Sequence, residues 1–186
     1  EIQMLLARSQ ASARRMNDEI ESWLTHAVAR DGELQLQPLD LAPIIEELQH
    51  TYPSAKIEDK LTLKPLGDAV LIRQVVVNLV SNAVKYAPKG ESPDIVVATA
   101  ADLEPSMVRI EVRDQGTPLP PSEWVRIFEP YSRGAGAGLQ ASGTGMGLAT
   151  CKRIVERHGG QISVTPNRDS AGVPIGNTFV FTLPVA

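Results

Sequence analysis

Beyond residue 40 the chain alternates between stretches with helical spacing and stretches with strand spacing, and the order of these blocks limits the fold more than any other property of the sequence. Asp40 is a suitable cap for a helix over residues 41–49, which follows Leu34, Gln35, Leu36 and Pro38. Residues 56–59 and 62–66 read as short strands. Asp68 caps a long helix over 69–86 that Pro88 and Gly90 close. Ile95 to Ala98 and Val108 to Val112 read as strands. Pro118, Pro120 and Pro121 then break the chain before a short helix over 122–128. The stretch 134–145 is rich in glycine, alanine and serine, and a mobile loop is expected there. A helix over 146–157, a strand over 161–165, a turn-rich insert and a strand over 178–183 complete the order. These blocks predict an α+β fold, a two-layer sandwich in which helices cover one face of a mixed sheet.

The first thirty residues differ from this. From Ile2 to Ala29 there is no proline or glycine, and Ile2, Leu5, Leu6, Met16, Ile20, Trp23, Leu24 and Ala27 fall on one side of a helix that Asp31-Gly32 ends. A long amphipathic helix with an uncovered stripe calls for a partner, either its own domain or a dimerising hairpin. We therefore divide the chain into residues 1–30 and a globular domain over 31–186. Hydrophobic residues at 42% and charged residues at 22% fit a packed core. A formal charge of −4 offers no general attraction to nucleic acid or anionic membrane, so a phosphate site has to be built locally. The single cysteine, Cys151, lies in an apolar helical run and reads as a small buried residue in a reducing compartment. No apolar stretch reaches the length of a membrane span, no direct membrane contact is expected, and the first residue is Glu1, consistent with a cytoplasmic piece of a larger protein.

Four segments carry the chemistry. In the first, Asn78, Asn82 and Lys85 stand at helical steps of four and three and share a face. An asparagine oxygen can ligate a hard cation and a lysine can neutralise phosphate, although a solvated polar stripe has the same pattern. In the second, a strand runs through Val112 and Arg113 into Asp114, Gln115, Gly116, Thr117 and Pro118. An aspartate there either caps the turn or, facing a pocket, accepts a hydrogen bond from an exocyclic amine such as that of adenine. The third, Ile127 to Arg133, is aromatic and basic and says little alone. In the fourth, Gly143, Thr144, Gly145, Met146, Gly147, Leu148 and Ala149 open a helix with glycines, which let backbone amides approach phosphate. It is neither the dinucleotide fingerprint nor a P-loop.

In this order the four segments resemble the N box, first glycine box, F box and second glycine box of sensor histidine kinases, within the wider Hsp90, gyrase and MutL-like ATPase superfamily. The resemblance runs from Asp68 to Leu183, and residues 14–24 resemble the second helix of a kinase dimerisation hairpin. It implies ATP and Mg²⁺ as ligands. Asn82 would be the metal ligand, with Asn78 beside metal and phosphates, Lys85 a phosphate contact, and Asn78 and Lys85 the catalytic pair. Tyr86 would lie near the nucleotide, Asp114 would read the adenine amine, and Gly116 would permit the turn beneath it. Gly143, Thr144, Gly145, Gly147 and Leu148 would hold the phosphate end, under a lid over 128–142. The sequence departs from the family by placing Pro118 where a second glycine is usual, which removes a backbone donor from that turn.

Hydrolysing members of the superfamily typically carry a glutamate at the first N-box position, whereas Asn78 cannot act as a general base. The resemblance therefore implies transfer of the γ-phosphoryl group to a histidine on an upstream helix rather than hydrolysis. A nucleotide-binding regulatory module without phosphotransfer and a serine kinase of the anti-sigma-factor type are the alternatives. None of His26, His50 and His158 is followed by the acidic residue, arginine and proline of the family's acceptor, so this chain is expected not to phosphorylate itself. His158, ahead of Gly159-Gly160, reads as a helix-end residue. The implied partners are a second copy, through the hairpin, and the receiver domain of a response regulator.

Overall fold

The computed structural model describes residues 33–88, 90–132 and 145–186. The amphipathic helix assigned to residues 1–30, with His26, lies outside the described residues, as do Gly143, Thr144 and most of the lid.

Seven strands and three helices are described. In chain order they are β1 (Leu36–Pro38), α1 (Ala42–Thr51), β2 (Lys56–Lys60), β3 (Leu66–Asp68), α2 (Ala69–Lys85), β4 (Asp94–Ala101), β5 (Met107–Arg113), α3 (Gly147–Arg157), β6 (Ile162–Arg168) and β7 (Pro174–Pro184). β1 and β3 form a small antiparallel pair. The main sheet has the order β2-β4-β5-β7-β6, parallel only between β2 and β4. Alternation along its strands sends Ile95, Val97, Val108, Ile110, Val112, Phe179, Phe181 and Leu183 to one face, where they join Ile72, Val76, Leu79, Ile154 and Val155 of the helices in a continuous core. On the opposite face Glu111 lies between Arg109 and Arg113, its neighbours two residues away along β5. The expected α+β sandwich is present.

Asp68 caps α2 as expected, its Oδ1 accepting from the amides of Val70 and Leu71 at 3.1 and 3.2 Å. Four local expectations change. The helix after Asp40 starts at Ala42, and Asp40 accepts from the Ala42 amide without being the cap residue itself. Residues 62–65 are not a strand: the Thr99 hydroxyl accepts from the amides of Thr62 and Leu63, which takes those donors out of any ladder. The short helix expected over 122–128 is two single 3₁₀ turns, Pro121–Glu123 and Arg126–Phe128. The turn-rich insert is the tip of a hairpin, with β6 running to Arg168 and β7 beginning at Pro174.

Candidate functional site

Asp114 follows the last residue of β5 at the sheet's end and is 5% exposed. Its Oδ1 accepts three hydrogen bonds, from Gly116 N at 2.7 Å, Asn177 N at 3.0 Å and Asn177 Nδ2 at 3.2 Å. Oδ2 takes part in none of these. One oxygen thus fixes the side chain and the other keeps its acceptor capacity, which suits an incoming N–H donor. Burial pushes the Asp114 carboxyl above the usual aspartate value, the bonds from Gly116 and Asn177 opposing that shift.

Gly116 is there for space. A methyl group built on it would lie 2.9 Å from the Tyr86 carbonyl oxygen and 3.1 Å from Asp114 Oδ1, so only glycine lets the turn lie against the end of α2. This brings the first two segments together. Lys85 Nζ lies 5.0 Å from the centre of the Tyr86 ring, a cation–π distance, and Tyr86 is 46% exposed.

Along α2, Asn78 and Asn82 are half-buried. Asn78 Oδ1 accepts from Gln74 Nε2 at 3.1 Å. The built methyl of Gly147 would meet Asn78 Cγ at 3.8 Å, so the first turn of α3 lies directly against the Asn78 amide. No side chain caps α3, leaving the positive end of the helix beside the Asn78 amide. Leu148 packs partly buried against the core. Gly145 adopts φ +72 and its carbonyl accepts from the amide of Tyr131, itself at φ 61. Two left-handed residues thereby join the chain on either side of 133–144; glycine takes this conformation freely, whereas at Tyr131 it persists only where the surroundings impose it. Phe128, just ahead, is anchored edge-to-face on Phe179 with ring centres 6.4 Å apart.

Of the residues singled out in the sequence, Tyr86, Asp114 and Gly116 form one end of this arrangement and Asn78 and Gly147 the other, with Asn82 and Lys85 on the helix between Asn78 and Tyr86. Three residues were missed. Asn177 supplies two of the bonds to Asp114 and also spans Pro118, its Oδ1 accepting from Leu119 N and its Nδ2 donating to Thr117 O. The proline's missing donor is therefore not needed, because a side chain from β7 holds the turn on both sides of it. Asn167 donates to the Asp114 carbonyl at 2.8 Å. Gly176 lies against the Asp114 backbone, where a methyl would come within 1.9 Å of its carbonyl oxygen. The available signal was a Gly-Asn pair at the head of an apolar strand, where neither residue favours strand structure.

Among the described residues no group of three or more His, Cys, Asp or Glu side chains could hold a metal alone. An amide oxygen of α2 fits a hard cation that draws its remaining oxygens from a ligand's phosphates. Cys151 is fully buried, and desolvation pushes its thiol up to about 12. A side-chain hydrogen bond with Asn78 opposes that shift and places the thiol directly behind this site amide.

Residues 67–186 match the profile of the family described as histidine kinase-, DNA gyrase B-, and HSP90-like ATPase. The adaptive-response sensory kinase SasA of Synechocystis sp. is 30% identical over 97% of this chain and 48% of its own length. Two-component system protein A of Emericella nidulans is 39% identical over 68% of this chain and 18% of its own. The chain spans less than half the length of either relative. Among solved structures, a mycobacterial sensor histidine kinase, MprB, superposes with a TM-score of 0.67 at 26% identity, over 81% of this chain and 97% of that one. Full-length ShkA in complex with AMPPNP gives 0.70 at 26% identity, over 96% of this chain and 39% of that one.

Proposed function

Because this chain belongs to the histidine kinase-, DNA gyrase B- and HSP90-like ATPase family, we propose that residues 31–186 bind ATP with Mg²⁺ and serve as the catalytic domain of a two-component sensor histidine kinase. The observation that carries this reading is Asp114, buried, fixed through one oxygen and open at the other. Its carboxylate accepts the adenine amine, and Asn177, Asn167 and Gly176 hold it in position. The phosphates lie at the uncapped amino end of α3, where Gly145, Gly147 and Leu148 let backbone amides approach them, and Gly143 and Thr144 are assigned to the same role from the sequence alone. Asn82 would supply an amide oxygen to Mg²⁺, Asn78 would lie beside metal and phosphates, and Lys85 would balance phosphate charge.

Bound Mg²⁺ supplies charge neutralisation; the protein's own part is positioning. Asn78 has no basic group with which to activate water, so the γ-phosphoryl group passes to a histidine of another segment. Residues 1–30 would be the second helix of a dimerisation hairpin, a second copy would pair there, and a response-regulator receiver domain would take the phosphoryl group onward. The names of SasA and two-component system protein A support this setting. Among the described residues no helix is long and apolar enough to cross a membrane. Titrating the chain with AMPPNP in the presence and absence of Mg²⁺ tests the reading: micromolar binding that Mg²⁺ tightens is expected, and no binding under either condition refutes it.

A further inference from the structure

Helices α2 and α3 run antiparallel and pack through the core, and three polar or close contacts mark out their length. At one end the Asn78 amide faces Gly147. In the middle Cys151 Sγ is 3.9 Å from the Val75 carbonyl oxygen. At the other end His158, 5% exposed, stands between α3 and the start of α2: its Nε2 accepts from the Asp68 amide at 3.0 Å, and its Nδ1 donates to the Ile154 carbonyl at 2.7 Å. These roles require the neutral ring with its proton on Nδ1. The same Asp68 caps α2 through Oδ1 and accepts from Gln35 N through Oδ2 at 3.1 Å.

The three contacts differ in kind. A methyl on Gly147 would meet Asn78 only at van der Waals distance, and a thiol at 3.9 Å is a weak donor. Only the histidine contact has both direction and a short length. The geometry points to His158 and Asp68 as a positioning pair that sets the axial register of α3 on α2, and so the spacing between the Asn78 amide and the amides at the start of α3 where phosphate binds. This deepens the proposed function and rests on it. His158 does not touch the nucleotide; it acts through α3, about 16 Å of helix away at 1.5 Å per residue.

Register affects the phosphate end and leaves Asp114, on the sheet, where it is. The quantity to measure is therefore the ratio of the dissociation constant of adenosine to that of Mg²⁺–AMPPNP. In His158→Leu, with folding checked by circular dichroism, the ratio is expected to fall by about tenfold with adenosine affinity unchanged. His158→Gln, whose amide can accept from Asp68 and donate to Ile154, should restore most of it. An unchanged ratio in folded His158→Leu overturns the pair, as does an equal loss for both ligands, which would mean general damage. If His158→Leu does not fold, His158→Phe decides, since an aromatic ring keeps the packing at that position and removes both hydrogen bonds. The same selective fall supports the pair and an unchanged ratio overturns it. Failure of the unmodified chain to bind either ligand would instead overturn the functional reading, and this inference with it.

Discussion

Replacing Asp114 by asparagine keeps the outline of the side chain and changes two properties, charge and the nature of the second terminal atom. The amide oxygen can still accept from Gly116 and Asn177, so the turn should hold. The open position would then carry an NH₂ group facing the adenine amine, donor against donor. Loss of one hydrogen bond to a charged acceptor costs about 1.5–3 kcal/mol, or roughly 10- to 150-fold in affinity. Stability should move the other way. Burial raises the Asp114 carboxyl in the folded state, so its contribution is most favourable below the unfolded aspartate value and is lost as pH rises through the folded one. At neutral pH the buried charge is thus a cost that asparagine removes. Calorimetric titration with AMPPNP should show the affinity loss, while the melting temperature at pH 7 stays level or rises. Unchanged affinity would refute the role of Asp114, and a large fall in melting temperature would mean that the lost affinity reflects a damaged fold.

Asn82→Ala should abolish most of the tightening by Mg²⁺, roughly tenfold, while adenosine binds as before; a persisting Mg²⁺ effect would exclude Asn82 as the ligand. Gly176→Ala forces a methyl against the Asp114 carbonyl oxygen, so a loss of about 1–3 kcal/mol or more in urea unfolding is expected, together with weaker adenosine binding. Cys151, buried and held protonated, should resist a thiol reagent in the native chain at pH 8 and react only in denaturant; rapid native labelling would contradict its placement.

Much of this was readable locally. The Asp68 cap, the span of α2 and the burial of Cys151 depend on neighbours within a helical turn or on an apolar run, and short-range pattern suffices for them. The strand expected over 62–66 begins only at Leu66, because the amides of Thr62 and Leu63 are taken by Thr99, some 36 residues away, which no local pattern records. The proline-rich stretch before Phe128 has helix-compatible residues but supports only 3₁₀ turns. At the site, Asp114 and Gly116 were evident from the strand-to-glycine turn, whereas Asn177 and Asn167 act across 63 and 53 residues and become visible only when β6 and β7 are brought alongside β5. Pro118 looked like a departure that weakened the turn. The fold answers it with a side chain instead of a backbone donor.

The two outer strands of the main sheet bear on how the domain meets other molecules. β2 ends the sheet on one side as Lys-Ile-Glu-Asp-Lys, with only Ile57 buried, and β6 ends it on the other with Pro166 in its run. A guest strand arriving at β2 would have to bring its backbone between charged side chains, and at β6 it would meet a residue with no amide to offer. Both open margins of the sheet are thereby closed to strand exchange. Among the described residues, helix faces and loops are left as the surfaces open to contact with other molecules.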